Sequence, residues 1–227
     1  MKTTILFLSI LFSLSSYSQT FHDLNINDLQ KNKAKFIGEE EAIQRFFAMN
    51  LRYPMELNYG TLIGIIIIDQ KVHTIKTVTL NSPGKSFQKE FERVAQLTTD
   101  KWEKVDSVNT LYCTLTVDFS FISNDYFIDY QNQPKFLSGN LVAKNYASKK
   151  LKSDESLIES LNEFYAQKDY KKVENVTKEL IKRNPFTESI YVMRIKALNE
   201  LGLDASEEFW ILTEFLDKKN YINILKK

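Results

Sequence analysis

The chain has 227 residues, enough for one large domain or two small ones that each bury a core. Its 30 Lys and Arg against 29 Asp and Glu leave a net charge of +1, so no global field draws nucleic acid or an acidic substrate. With 6 Gly, 4 Pro, 2 His and 1 Cys, the composition excludes collagen-like and Pro-rich architectures, an intramolecular disulfide framework and a zinc site built from several Cys and His.

Lys2 precedes an apolar run from Ile5 to Leu14, and Ser16-Tyr17-Ser18 offers small residues where signal peptidase reads. The run is roughly 10–13 residues, short of the ~20 that span a membrane. A signal peptide over residues 1–18, cleaved before Gln19, is the expectation. An uncleaved N-terminal anchor is the alternative. The sole cysteine, Cys113, lies far downstream, so no lipid attaches through an N-terminal Cys. Residues 19–35 read as a linker.

From Gly38 the pattern alternates helix and strand. Glu39, Glu40 and Glu41 precede Ala42, Ile43, Phe46, Phe47 and Leu51 at helical spacing, and read as first-turn carboxylates favoured by the helix dipole. Tyr53-Pro54 stops that helix. Thr61 to Ile68 is apolar on both faces, as in a fully buried strand. Asp69-Gln70-Lys71 suits a short connection, and Val72 to Leu80 reads as the returning strand, which places His73 on a strand among polar neighbours. Lys76 falls in phase with Val72, Val78 and Leu80, which a bulge would explain. After the turn Asn81-Ser82-Pro83-Gly84, residues Phe87, Phe91, Val94 and Ala95 mark a second amphipathic helix.

Leu111 to Phe121 alternates cleanly. Leu111, Cys113, Leu115, Val117, Phe119 and Phe121 share one face; Tyr112, Thr114, Thr116, Asp118 and Ser120 share the other. The expectation is an apolar face beneath the two helices, with Cys113 as a small buried hydrophobe, and a polar face in water. Residues 123–153 then lose periodicity and read as a second linker, with a basic stretch at Lys144, Lys149, Lys150 and Lys152.

Everything after Ser153 is helical. Ser153 or Asp154 caps a helix striped by Leu157, Ile158, Leu161, Phe164 and Tyr165. Lys168-Asp169-Tyr170 is a turn. Val173, Val176, Leu180 and Ile181 stripe the next helix, ended by Asn184-Pro185. Ile190, Met193, Ala197, Leu198 and Leu201 stripe the third, closed by Gly202. Ala205, Phe209, Leu212 and Leu216 stripe the fourth. Tyr221, Ile224 and Leu225 suggest a last short turn. The repeat interval is ~34 residues. The predicted fold class is α+β: a small antiparallel three-stranded sheet with two helices over residues 36–122, then an all-α pair of helical hairpins over 154–227.

Residues 36–121 resemble the TonB C-terminal domain. The resemblance rests on Phe36-Ile37-Gly38-Glu39-Glu40 opening a helix and Asn50-Leu51-Arg52-Tyr53-Pro54 closing it. It continues with Gly60 before an Ile-rich strand, the strand pair, the helix around Phe87–Leu97, Lys101-Trp102, and a last strand ending Val117-Asp118-Phe119-Ser120-Phe121. The chain departs from the family at Asp69-Gln70-Lys71-Val72, where a Gly is usual, and at Glu103-Lys104, where a Pro is usual. Residues 154–227 resemble tetratricopeptide-type repeats at Tyr170, Pro185 and Leu201-Gly202.

No Gly-rich phosphate loop, no Ser elbow and no pair of His on one helix face is present. His22 sits in the predicted leader. Asn124, Asp125 and Asp129 lack the spacing of a cation loop. Asn175-Val176-Thr177 is a sequon inside a predicted helix. No catalytic residue, cofactor or metal is therefore expected. The resemblance implies a non-enzymatic, periplasmic adaptor that binds an extended protein segment, such as one from an outer-membrane receptor or envelope lipoprotein, by strand addition. It implies the last strand as the edge, with Leu111, Tyr112, Thr114, Thr116 and Asp118 as the contact residues. A TonB-type energy transducer for receptor-dependent transport is the alternative. It needs a long stiff spacer, whereas residues 19–35 contain no Pro and reach at most ~58 Å fully extended. An exported enzyme with an unfamiliar site is the other class.

Overall fold

The computed structural model describes residues 24–39, 41–56, 58–122, 128, 130–146 and 151–225. The predicted signal peptide, His22, the Asn124–Asp125–Asp129 group, Lys149 and Lys150 lie outside the described residues.

The elements run α1 (Ile26–Lys31), α2 (Ala42–Asn50), β1 (Gly60–Asp69), β2 (Thr74–Asn81), α3 (Lys85–Gln96), β3 (Thr110–Phe121) and β4 (Gly139–Asn145). Then come α4 (Asp154–Ala166), α5 (Tyr170–Arg183), α6 (Glu188–Glu200), α7 (Ser206–Trp210) and α8 (Ile222–Leu225). The class is α+β, but the sheet has four strands in the order β2-β1-β3-β4, not three. β1 pairs antiparallel with β2 and β3, while β4 pairs parallel with β3. β4 lies inside the segment read as a linker. Its Leu141-Val142-Ala143 core is short, and only Leu141 is buried, so it carries little period-2 signal.

The sheet is covered on both faces. Leu62, Ile66 and Ile68 of β1 join Leu111, Cys113, Leu115, Val117 and Phe119 of β3 beneath α2 and α3. α3 presents Phe87, Phe91, Val94 and Ala95 to this layer, all fully buried. Gly64 is required there, because a Cβ at that position would collide with the Phe91 ring. On the other face, Ile63, Ile65 and Ile67 of β1 with Val78 and Leu80 of β2 share one apolar cluster with the helical hairpins. This corrects the expectation of a wet face. Thr114, Thr116, Asp118 and Ser120 are buried, and Ile65, Ile63 and Thr61 are the cross-strand partners of the first three. Alternation of Thr with apolar residues cannot separate water from a second helical layer, since Thr offers a methyl as well as a hydroxyl.

Several local readings change. The predicted linker 19–35 includes α1, capped by Asn25, whose Oδ1 accepts the Asn27 N–H at 2.9 Å, and it buries Leu24 and Leu29. Residues Lys33 and Phe36 bridge to Tyr112 and Trp102, so Phe36-Ile37 is extended chain and not a helix start. α2 begins at Ala42, after Glu41 at φ 65°, so Glu39 and Glu41 precede the helix, and Glu40 lies outside the described residues; Glu39 pairs with Arg45 at 3.2 Å. β2 begins at Thr74, because Gln70–His73 form the turn with His73 at φ 52°. Val72 is exposed, and Lys76 needs no bulge; the register irregularity lies between Ile63 and Gly64 of β1.

The helical half follows its stripes. Ser153 caps α4 by accepting the Ser156 N–H at 3.2 Å, and Gly202 takes φ 66° after α6. The fourth helix is shorter than its stripe suggests: α7 passes into a π-type turn at Ile211–Phe215. Asn175 lies on the exposed side of α5, where it bonds Lys171 O at 3.0 Å.

Candidate functional site

β3 is not a free edge. The Tyr112 N–H donates to Asn32 O at 2.9 Å, and Tyr112 O accepts the Ala34 N–H at 2.7 Å. The Ser138 N–H donates to Thr114 O at 2.7 Å, and β4 pairs from Leu115↔Gly139 through Phe121↔Asn145. The strand is therefore filled along its length by the chain's own residues. Leu111 lies under α2 and α3, Tyr112 is half-buried beside the segment that carries α1, and Thr114, Thr116 and Asp118 are buried. Thr116 bonds the Asn140 side chain of β4. Burial, then the Asp118 carboxylate, pushes the Tyr53 and Tyr130 hydroxyls up to about 12. The sequence-predicted contact residues thus form part of the interior.

Among the described residues the sheet ends on β4, with no strand outside it. The exposed residues of β4 are Asn140, Val142 and Lys144, and apolar side chains flank its far end. Val142 is 58% exposed and Tyr146 is 90% exposed, and Ile122 beside them is 54% exposed. The Ile122 N–H donates to Asn145 O at 3.0 Å, which holds this residue next to the end of β4. At its start β4 is pinned: Gln44 Nε2 donates to Ser138 O at 3.3 Å, and Gly139 leaves room for the Gln44 side chain. An exposed edge strand with apolar side chains and one charge, Lys144, is poorly protected against pairing with another chain.

A second constellation joins the sheet to the hairpins. Arg183, at the end of α5, is buried. It reaches Glu179 Oε1 at 3.0 Å, Asp154 Oδ1 at 2.7 Å, Lys152 O at 2.8 Å and Tyr59 Oη at 3.4 Å. Tyr59 donates to Glu179, and Lys182 Nζ lies 4.0 Å from the Tyr59 ring centroid. Thr61 Oγ1 donates to Arg183 O at 2.7 Å. Burial alone would raise Glu179, but the Tyr59 hydroxyl, Lys182 and Arg183 outweigh it and hold the carboxyl below its ordinary range. Burial likewise raises the Tyr59 hydroxyl to about 12, so it stays a donor. Each charge is met, and the constellation acts as a fastening between β1 and α5. Nothing before the fold marks Arg183, which sits in an ordinary basic helix end.

Cys113 and Trp102 lie in the core. Burial pushes the Cys113 thiol up to about 12. Trp102 donates from Nε1 to Thr98 Oγ1 at 3.1 Å inside the core. Among the described residues no group of three or more His, Cys, Asp or Glu could hold a metal ion, and no helix is long and apolar enough to cross a membrane. Comparison with family models, curated proteins and solved structures finds no match. The TonB-like and tetratricopeptide-like readings rest on the quoted residues alone.

Proposed function

We propose that this chain is a non-catalytic adaptor of the cell envelope, exported by its N-terminal leader, that holds an extended protein segment as a strand added to its sheet. The observation that carries the reading is the open outer edge of β4 with Val142 and Tyr146 exposed. The adding strand pairs there and not on β3, whose backbone is already used. Main-chain hydrogen bonds supply affinity, and side chains at alternate positions supply selection. The fitting partner segment has apolar residues four apart, to match Val142 and Tyr146, with a polar or acidic residue between them opposite Lys144. The helical half serves as a scaffold that keeps the sheet rigid from behind.

The test is hydrogen exchange of the purified chain with synthetic ten-residue extended peptides of alternating Val and Thr, and with scrambled controls that end the alternation. Binding by strand addition slows exchange over Gly139–Asn145 and is lost in Val142→Pro. Binding that leaves β4 unprotected, or none at all, overturns the reading.

A further inference from the structure

A cleft of about 870 Å³ lies between α1, the 3-10 turn Tyr130–Asn132 with the segment after it, and the π-type turn Ile211–Phe215. That volume is within the range of ligand sites. Six of its eighteen lining residues carry side-chain amides: Asn25, Asn27, Gln30, Gln131, Asn132 and Gln133. Asn and Gln make up 26 of the 227 residues, so amides form a third of the lining against about a ninth of the chain. Asn27 and Gln30 are exposed and stand three residues apart on α1, which makes them neighbours on one helix face. Their side-chain amides meet no partner among the described residues. Asn25 is half committed: its Oδ1 accepts the Asn27 N–H at 2.9 Å, which leaves its Nδ2 donors unused among the described residues.

The charges of the lining cancel. Lys218 Nζ is held by Glu188 Oε2 at 2.8 Å, Lys219 Nζ lies 3.9 Å from Asp217 Oδ1, and Lys135 and Glu214 stand with opposite sign. No ionic ligand of either sign is favoured there. An amide carries an acceptor and two donors in one plane, so it can bond two adjacent hydroxyls at once. Trp210 and Ile26, both half-buried, add an apolar wall suited to the C–H face of a ring. The π-type turn follows Trp210 directly, and such turns are rare and frequent at functional sites. The walls are largely helical turns, whose main-chain groups bond one another, so little backbone is open to an extended peptide. We propose that this cleft binds an uncharged oligosaccharide, its hydroxyls bonded by Asn27, Gln30 and the neighbouring amides while a ring face packs against the wall formed by Trp210 and Ile26. No residue of β4 lines the cleft, so this site does not rest on strand addition.

The experiment is an NMR titration of the isotope-labelled chain with triacetylchitotriose, with cellotriose, and with the polar peptide acetyl-Ser-Asn-Gln-Ser-amide. Saturable shifts at Asn27, Gln30 and residues 131–133 are expected with at least one trisaccharide at up to ~10 mM, a concentration that fills weak small-molecule sites, and none with the peptide. Saturation by triacetylchitotriose alone assigns acetamido sugars, by cellotriose alone unsubstituted sugars, and by both the ring hydroxyls they share. Asn27→Ala with Gln30→Ala should weaken binding by about 10-fold or more, as for two lost hydrogen bonds. The double variant should melt with wild type, because both side chains are exposed and Ala suits a helix. Affinity should be equal at about 50 mM and about 500 mM salt, since an uncharged ligand leaves nothing to screen. Saturation by the peptide and neither sugar, no saturation by either trisaccharide, shifts confined to residues outside the lining, or unchanged affinity in the double variant overturns the proposal.

Discussion

Arg183→Met tests the fastening between sheet and hairpins. The substitution keeps an apolar stem of similar length and removes the guanidinium, which is 3% exposed. Four contacts disappear: those to Glu179, Asp154, Lys152 O and Tyr59. Removing one partner of a buried pair costs about 3–5 kcal/mol, because the other charge is left without compensation. Here Asp154 and Glu179 stay 24% and 28% exposed, so water recovers part of that loss. The expected cost is therefore about 3 kcal/mol, at the lower end of the range. For a chain of this size that lowers Tm by roughly 6–12 °C. The pH dependence gives a second reading. Glu179 is held below its ordinary value of 4.5. A carboxylate depressed in the folded state stabilises fully above its unfolded pKa, and that contribution is lost as pH falls through the folded one. Wild type should lose stability as pH drops below about 4.5. Arg183→Met should lose less over the same window, because one of the groups that depress Glu179 is gone. The assay is urea unfolding at pH 7 and at steps down to pH 3. A cost below about 1 kcal/mol at pH 7, the scale of an exposed ion pair, would refute the claim that this network is buried and matched.

Three further outcomes follow from named contacts. Gly60→Ala places a Cβ 2.5 Å from Lys182 O at a φ of 129°, so strain and overpacking should cost about 3 kcal/mol in urea unfolding; a loss near zero means the two layers are not pressed together there. The Cys113 thiol, buried and raised to about 12, should resist Ellman's reagent at pH 8 while folded and react at once in guanidinium chloride; stoichiometric labelling of the folded chain would contradict its burial. Val142→Lys with Tyr146→Asp should leave stability within about 0.5 kcal/mol of wild type for each surface change while abolishing peptide capture, checked by melting and binding assays together.

The strongest patterns in the sequence carried over because they reflect burial on both sides of an element. The isoleucine run of β1 is apolar on each face, and each face does meet a helical layer. The stripe of α3 and the caps of α4 and α6 were legible for the same local reasons. What was not legible depended on distant partners. Whether Thr114 and Thr116 see water or protein is decided by chain from outside the strand, such as Ser138, whose N–H meets Thr114 O, and Asn140, whose side chain meets the Thr116 hydroxyl. Whether β3 is an edge is decided by a strand with one buried side chain, and by three residues of extended chain near Asn32. β4 shows why the weakest strand is the hardest to read: its pairing energy is main-chain hydrogen bonding, which every residue but Pro supplies. The Arg183 network is a product of packing between the halves and leaves no motif.

The shared core also decides whether the halves can act apart. Ile63, Ile65, Ile67, Val78 and Leu80 lie on the sheet face that the hairpins cover. Cutting the chain after residue 122 would return those five side chains to water. At about 2 kcal/mol for each fully buried aliphatic side chain, that forfeits on the order of 10 kcal/mol. The whole stability of a domain is about 5–15 kcal/mol. It would also strip β4 from β3 and expose a strand with seven fewer ladder partners. A fragment of residues 36–122 should therefore be insoluble or molten, whereas residues 24–225 should melt in one cooperative transition. Circular dichroism and calorimetry of the two fragments decide it. A 36–122 fragment that melts cooperatively and remains monomeric would show that the sheet module is complete by itself, and that the hairpins are an attachment and not half of its core.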